Sequence, residues 1–136
     1  MGIGPNYGLN KGFLATGSTA YAAGEVVVIS ATQQVARATT ANVLTPLGIC
    51  MEDLDTTRLA TGKAIIGVAL AGIVRVIAGG SVSVGDRVTN NTSARAVTRT
   101  RASAGAQPAA TFGIALTSAT NDGDHIDVLL TPGATF

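Results

Sequence analysis

The chain has 136 residues, a net charge of +1 and 12% charged residues, with 46% apolar but only 4% aromatic positions and no Trp. That length fits one domain whose core is built from Val, Ile, Leu and Ala. Charge at about half the usual share of roughly 25% excludes a strong field for steering nucleic acid or anionic lipid, and the apolar run AIIGVALAGIV at 64–74 is too short and too Gly-broken to span a membrane.

Residues 1–12 are Gly-rich, with Ile3, Pro5, Tyr7 and Leu9 scattered among polar positions and Phe13 just beyond. This composition predicts an extended N-terminal arm that lies along another surface through those apolar anchors. It has no basic segment leading into an apolar one, so no secretory signal is expected, and Gly2 lacks the Ser/Thr of a myristoylation signal. A single β domain is expected over 13–136. Strand signals follow one another as EVVVIS (25–30), QVARATT (34–40), LGICME (47–52), KAIIGVAL (63–70), GIVRVIA (72–78), DRVTN (86–90), ARAVTRT (94–100), FGIALTS (112–118) and HIDVLL (125–130). Turn residues separate them at Asn90–Ser93, Asn121–Asp124 and Thr131–Gly133. No stretch sustains helical periodicity.

Two phrases recur. AAGEVVVI at 22–29 is echoed by SVGDRVTN at 83–90, and PLGIC at 46–50 by TFGIA at 111–115. Gly24 and Gly85 are 61 positions apart (85 minus 24), and Gly48 and Gly113 are 65 apart (113 minus 48). A Gly at positive φ followed by a carboxylate that accepts backbone N–H bonds is a device for restarting a strand. The chain therefore reads as all-β, a compact two-lobed β-barrel/sandwich of two similar halves, with pseudo-repeats at about 21–78 and 79–132.

Chemistry-bearing residues are few. His125 sits among Asp122, Asp124 and Asp127, but the spacing matches neither a Ca²⁺ loop nor a zinc site. Alternation puts His125 and Asp127 on a solvent face. The lone Cys50 stands inside an apolar strand, where a thiol packs as a small hydrophobe. No Ser lies in a nucleophile elbow, and TGKA at 61–64 lacks the rest of a phosphate loop. No enzyme activity, cofactor or metal is expected. Arg95, Arg99 and Arg101 share one face of an extended segment, with Val97 between them. Without aromatic partners the stripe does not signal nucleic-acid binding and is kept as a protein interface.

The ordered series AAGEVV, PLGICMEDLDTTRLATGKAIIGVALAGIVRVIAGGSVSVGDRVTNN and TFGIALTSATNDGDHIDVLL resembles the small capsid decoration, or cement, proteins of tailed bacteriophages. The resemblance covers about Gly12 to Pro132, and rests on GVALAGIVRV, VSVGDRV and the closing FGIAL and GDHIDVLL. It implies a structural virion protein, made in the host cytoplasm, that binds the outer surface of an assembled head. There it would stabilise contacts between major capsid protein subunits, as a homotrimer, without nucleic acid or membrane as partners. A small β-barrel module that binds a ligand or a protein outside any virion is the alternative.

Overall fold

The computed structural model describes residues 9–43, 45–100, 103–105 and 110–131. Its β-branched runs pack on pleated surfaces as expected, giving ten strands among these residues: β1 (Leu9–Ala15), β2 (Val26–Ala31), β3 (Gln34–Arg37), β4 (Pro46–Cys50), β5 (Ile65–Ala71), β6 (Ile73–Ile77), β7 (Arg87–Asn90), β8 (Ala96–Thr98), β9 (Gly113–Ala115) and β10 (His125–Leu130). A single helical turn, α1 (Thr56–Leu59), stands where the sequence signals no helix. Asp55 caps it by accepting from Arg58 N at 2.8 Å.

Strands β1 to β5 close into a barrel in the order β1-β3-β2-β4-β5, and β6 to β10 form a sheet in the order β6-β10-β9-β7-β8. Pairing β1 with β6, β2 with β7 and so on gives the same neighbour order twice, so the two lobes are one topology repeated. The repeat holds to single residues. Gly24 N donates to Cys50 O and Gly85 N to Ala115 O, both at 2.8 Å. The bridge Tyr21↔Leu54 has its counterpart in Val82↔Ala119, and the positive φ of Gln33 (57°) in that of Ala94 (61°). The lobe boundary falls at Gly72. The halves expected at 21–78 and 79–132 are thus corrected: β6 belongs to the second sheet, and β1 completes the first. Alternation alone could not reveal this, because β5 and β6 read as one nearly continuous apolar run.

The lobes differ in closure, and the cause is the junction between them. In the first lobe Leu14 N donates to Gln33 O at 3.0 Å, and β1 pairs in parallel with β3. At the matching place in the second lobe, main chain from the first lobe intervenes: Ile77 N donates to Gly24 O at 3.0 Å and Val26 N to Ala94 O at 2.8 Å. The second sheet keeps only the bridge Ala78↔Ala96 as a trace of closure. The main chain of the Gly24–Val26 segment is thus bonded on both sides, with Gly24 O and Val26 N paired to the second lobe and Gly24 N, Glu25 N, Glu25 O and Val26 O paired within the first.

Two apolar clusters result. Phe13, Tyr21, Val27, Val35, Cys50, Leu54, Ile66 and Val68 fill the barrel. The other cluster runs through the junction, joining Val26, Ala38, Ile49 and Ala69 of the first lobe to Val76, Val88, Phe112, Ile126 and Val128 of the second. Asn90, 1% exposed, is a buried polar residue at that seam.

The extended arm needs a second correction. Leu9–Gly12 are strand residues of the barrel wall, paired with β5 from Leu9↔Ala71 to Gly12↔Gly67. Phe13 is 6% exposed and points into the barrel core, so it is a core residue and not a surface anchor. Leu9, at 59%, does face outward. Ile3, Pro5 and Tyr7 lie outside the described residues, as does Arg101.

Candidate functional site

The repeated turn is built three times with the same bonds. Glu25 accepts from Ala22 N at 2.6 Å, Asp86 from Ser83 N at 2.9 Å, and Asp124 from Asn121 N at 2.9 Å. Each follows a Gly at positive φ, Gly24 (98°), Gly85 (88°) and Gly123 (94°). Each carboxylate closes its own turn across three residues. The two N–H donors from Asn121 and Thr120 hold the Asp124 carboxyl below the usual carboxylate range.

Several other charged side chains are held in ion pairs. Glu25 pairs with Arg37, and that guanidinium also donates to Ser93 O at 3.2 Å across the junction. Its counterpart in the second lobe is Thr98 donating to Asp86 at 2.8 Å. Arg95 pairs with Asp122 at 2.9 Å. Asp127 faces Arg75 at 3.8 Å. The three acidic neighbours of His125 therefore point to three different partners. Among the described residues no group of three or more His, Cys, Asp and Glu converges.

Cys50 and His125 both line a cleft of about 220 Å³ at the junction, with Gly24, Met51, Val74 and Arg75. The thiol is fully buried and donates to Glu52 O at 3.0 Å. Burial, with Glu25, Glu52 and Asp53 nearby, pushes its pKa from 9.0 to about 11. This is the reverse of an activated nucleophile. At pH 8 about one thiol in a thousand is ionised, so native protein is expected to alkylate at least ~100-fold more slowly than unfolded protein. Equal labelling rates would show that the thiol is accessible. The same shift predicts weaker folding in alkali. Between pH 9 and about 11 the unfolded thiol has lost its proton while the folded one keeps it, so stability present below pH 9 is lost as pH rises through about 11. Urea midpoints across that range measure it.

The arginine stripe resolves into members of different standing. Arg95 precedes β8 and is tied to Asp122, whereas Arg99 follows β8 and makes no ion pair among the described residues. Its Nε is buried without an acceptor. Arg99 N donates to Arg87 O at 2.8 Å, Arg87 is the β-partner of Ile114, Ile114 of Leu129, and Leu129 of Ile73. Cross-strand partners share a face, so Arg99, Arg87, Ile114, Leu129 and Ile73 form one row across the whole second sheet. Ile73 is 55% exposed and Leu129 39%. Reading along the sequence found Arg99 but missed this row, because its members come from four separate strands and the segment after β8.

Among solved structures, the fold is similar to that of a phage head-fibre base. The likeness is to the crystal structure of the head fiber gp8.5 N base of bacteriophage phi29, with a TM-score of 0.64 and 19% identity, covering 91% of this chain and 94% of that one. Coverage of that extent takes in both lobes together, so the shared feature is the two-lobed arrangement and not a lone barrel. No protein-family model matches the chain, and no curated protein matches it.

Proposed function

We propose that this chain is a structural virion protein of a tailed bacteriophage, which binds the outer surface of the assembled head and stabilises contacts between major capsid protein subunits. The observation that carries the reading is the two-lobed fold, shared along nearly its whole length with a protein that forms the base of a phage head fibre. The ordered decoration-protein motifs point the same way. So does the surface, which has few charges and exposed aliphatic residues such as Leu9, Ile29, Ile65, Ile73 and Val84. Such a surface suits a protein packed against neighbours. The same features, with the resemblance, favour three copies of the chain at each site on the shell.

A ligand-binding module fits less well. The junction cleft of about 220 Å³ falls below the roughly 300–1,000 Å³ of small-molecule sites.

Co-sedimentation with purified heads of the phage that encodes the chain tests the proposal. Saturable pelleting with heads is expected, with bound copies in multiples of three. Heads stripped of the protein should release their DNA at a lower temperature and regain wild-type resistance when it is added back. A chain that stays in the supernatant at every concentration overturns the reading.

A further inference from the structure

Because the two lobes are one topology repeated, each surface of the first has a counterpart on the second. The row Ala38, Val26, Ile49 and Ala69 of the first lobe corresponds to Arg99, Arg87, Ile114 and Leu129. The first row is buried to 2% exposure or less, packed in the junction cluster with the second lobe. Among the described residues, no lobe covers the second row. It also differs in kind at two of its four places, where arginines stand for Val and Ala, while the aliphatic places keep Ile and enlarge Ala to Leu. A face that mates with protein in one half has thus been retained in the other with positive charge at one end and exposed aliphatic side chains at the other.

We infer that this row, extended by Ile73, is the surface by which the chain docks on the shell, and that it receives a protein surface setting carboxylates beside aliphatic side chains. The inference rests on the reading that the chain binds heads. Charge selects the occupant. Arg99 makes no ion pair among the described residues, and a planar guanidinium is matched by a carboxylate. A second copy of the chain does not supply one in the corresponding place, since the five strands of the barrel, LNKGFLA, VVVISA, QVAR, PLGIC and IIGVALA, contain no Asp or Glu. The slot that would receive the row by repetition of the lobe junction is moreover closed by the bond from Leu14 N to Gln33 O. Nucleic acid could meet the arginines, but not Ile114, Leu129 and Ile73.

The test uses the full chain and purified heads emptied of DNA. Arg99→Glu and, separately, Leu129→Asp are each expected to weaken head binding at least tenfold. Arg58→Glu, an exposed change on α1, should leave it unchanged. Leu129 is already partly exposed, so Leu129→Asp should keep the wild-type melting temperature and remain informative even where Arg99→Glu disturbs folding. Added salt should weaken wild type more than Arg99→Glu. If wild type pellets with heads and both variants do so equally well, the docking row is wrong while the function stands. If wild type itself fails to pellet, the function falls first. If the variants lose self-association in light scattering while keeping head binding, the row belongs to a second copy. If wild type binds a bare DNA duplex and Arg99→Glu does not, it belongs to nucleic acid. Either result overturns the inference.

Discussion

Gly48→Ala and Gly113→Ala are each expected to lower the melting temperature by about 10 °C. Gly48 in β4 lies against β5, and a Cβ there would overlap the Ala69 carbonyl oxygen and crowd Val68 Cγ1. Gly113 holds the matching place in β9, where a Cβ would overlap Val128 Cγ1 and the Leu129 carbonyl. The obstacle in both cases includes main chain, which cannot turn aside as a flexible side chain can. Accommodating one methyl group means prying apart two paired strands, an overpacking penalty of about 3 kcal/mol, equivalent to about 10 °C for a domain of this size. Gly67, where an added Cβ would meet nothing within 4 Å, is the control; Gly67→Ala should change the melting temperature by no more than about 2 °C, consistent with a surface substitution of about 0.5 kcal/mol. If Gly48→Ala and Gly67→Ala melt together, close strand approach is not why that position is glycine.

The second large effect is expected at Asn90. Its Nδ2 donates to Ala38 O at 2.9 Å and Thr40 O at 2.7 Å, while its Oδ1 accepts from Val43 N at 3.0 Å. Its own carbonyl accepts from Asn42 N at 2.9 Å. One side chain from β7 thereby satisfies three main-chain groups of the other lobe in the segment after β3. Asn90→Leu keeps the branched heavy-atom skeleton and removes every one of those side-chain bonds. With partly or fully buried carbonyl and amide groups left unpaired, the loss is about 3 kcal/mol. Chemical denaturation measures it, and a loss below about 1 kcal/mol would mean that water replaces the amide at the seam. Asn90→Asp should be no milder, since a carboxylate can accept from Val43 N but would face the carbonyls of Ala38 and Thr40.

Much of the fold was legible because strand formation and turn chemistry are local. EVVVIS, DRVTN and HIDVLL became β2, β7 and β10 within a residue or two of their expected bounds, and Glu25 and Asp86 accept backbone N–H bonds as the Gly-acid phrase implied. His125 and Asp127 do alternate outward against buried Ile126 and Val128. β1 escaped notice. LNKGFLA, with its Asn, Lys and Gly, has little strand character of its own and is a strand because β5 and β3 pair with it on either side. α1 escaped for another reason: four residues are too few for any period to show, although Asp55 is of a residue type that favours an N-cap.

Of the expected interface, Phe13 proved to be core, Arg95 is ion-paired, and Arg99 is the stripe member that reaches the exposed row. Asn90 could not be found by inspection, since nothing in VTNN distinguishes a residue bonded to Thr40, 50 positions away, from an ordinary turn asparagine.

Residue types and their short-range order are enough to set the all-β class, the strand restarts after Gly24 and Gly85, and the doubling of the pattern at nearly constant spacing. Backbone preference and alternation act over a few residues, so they are written in consecutive letters. Where one lobe ends, which barrel closes, and which of two equivalent rows is covered are settled only when distant segments meet. Those outcomes depend on competition for the same hydrogen-bonding groups: Gly24–Val26 of the first lobe takes the partners that would have closed the second. Once that segment is seated, Val26 and Ile49 are buried, and their counterparts Arg87 and Ile114 are left on the outer face.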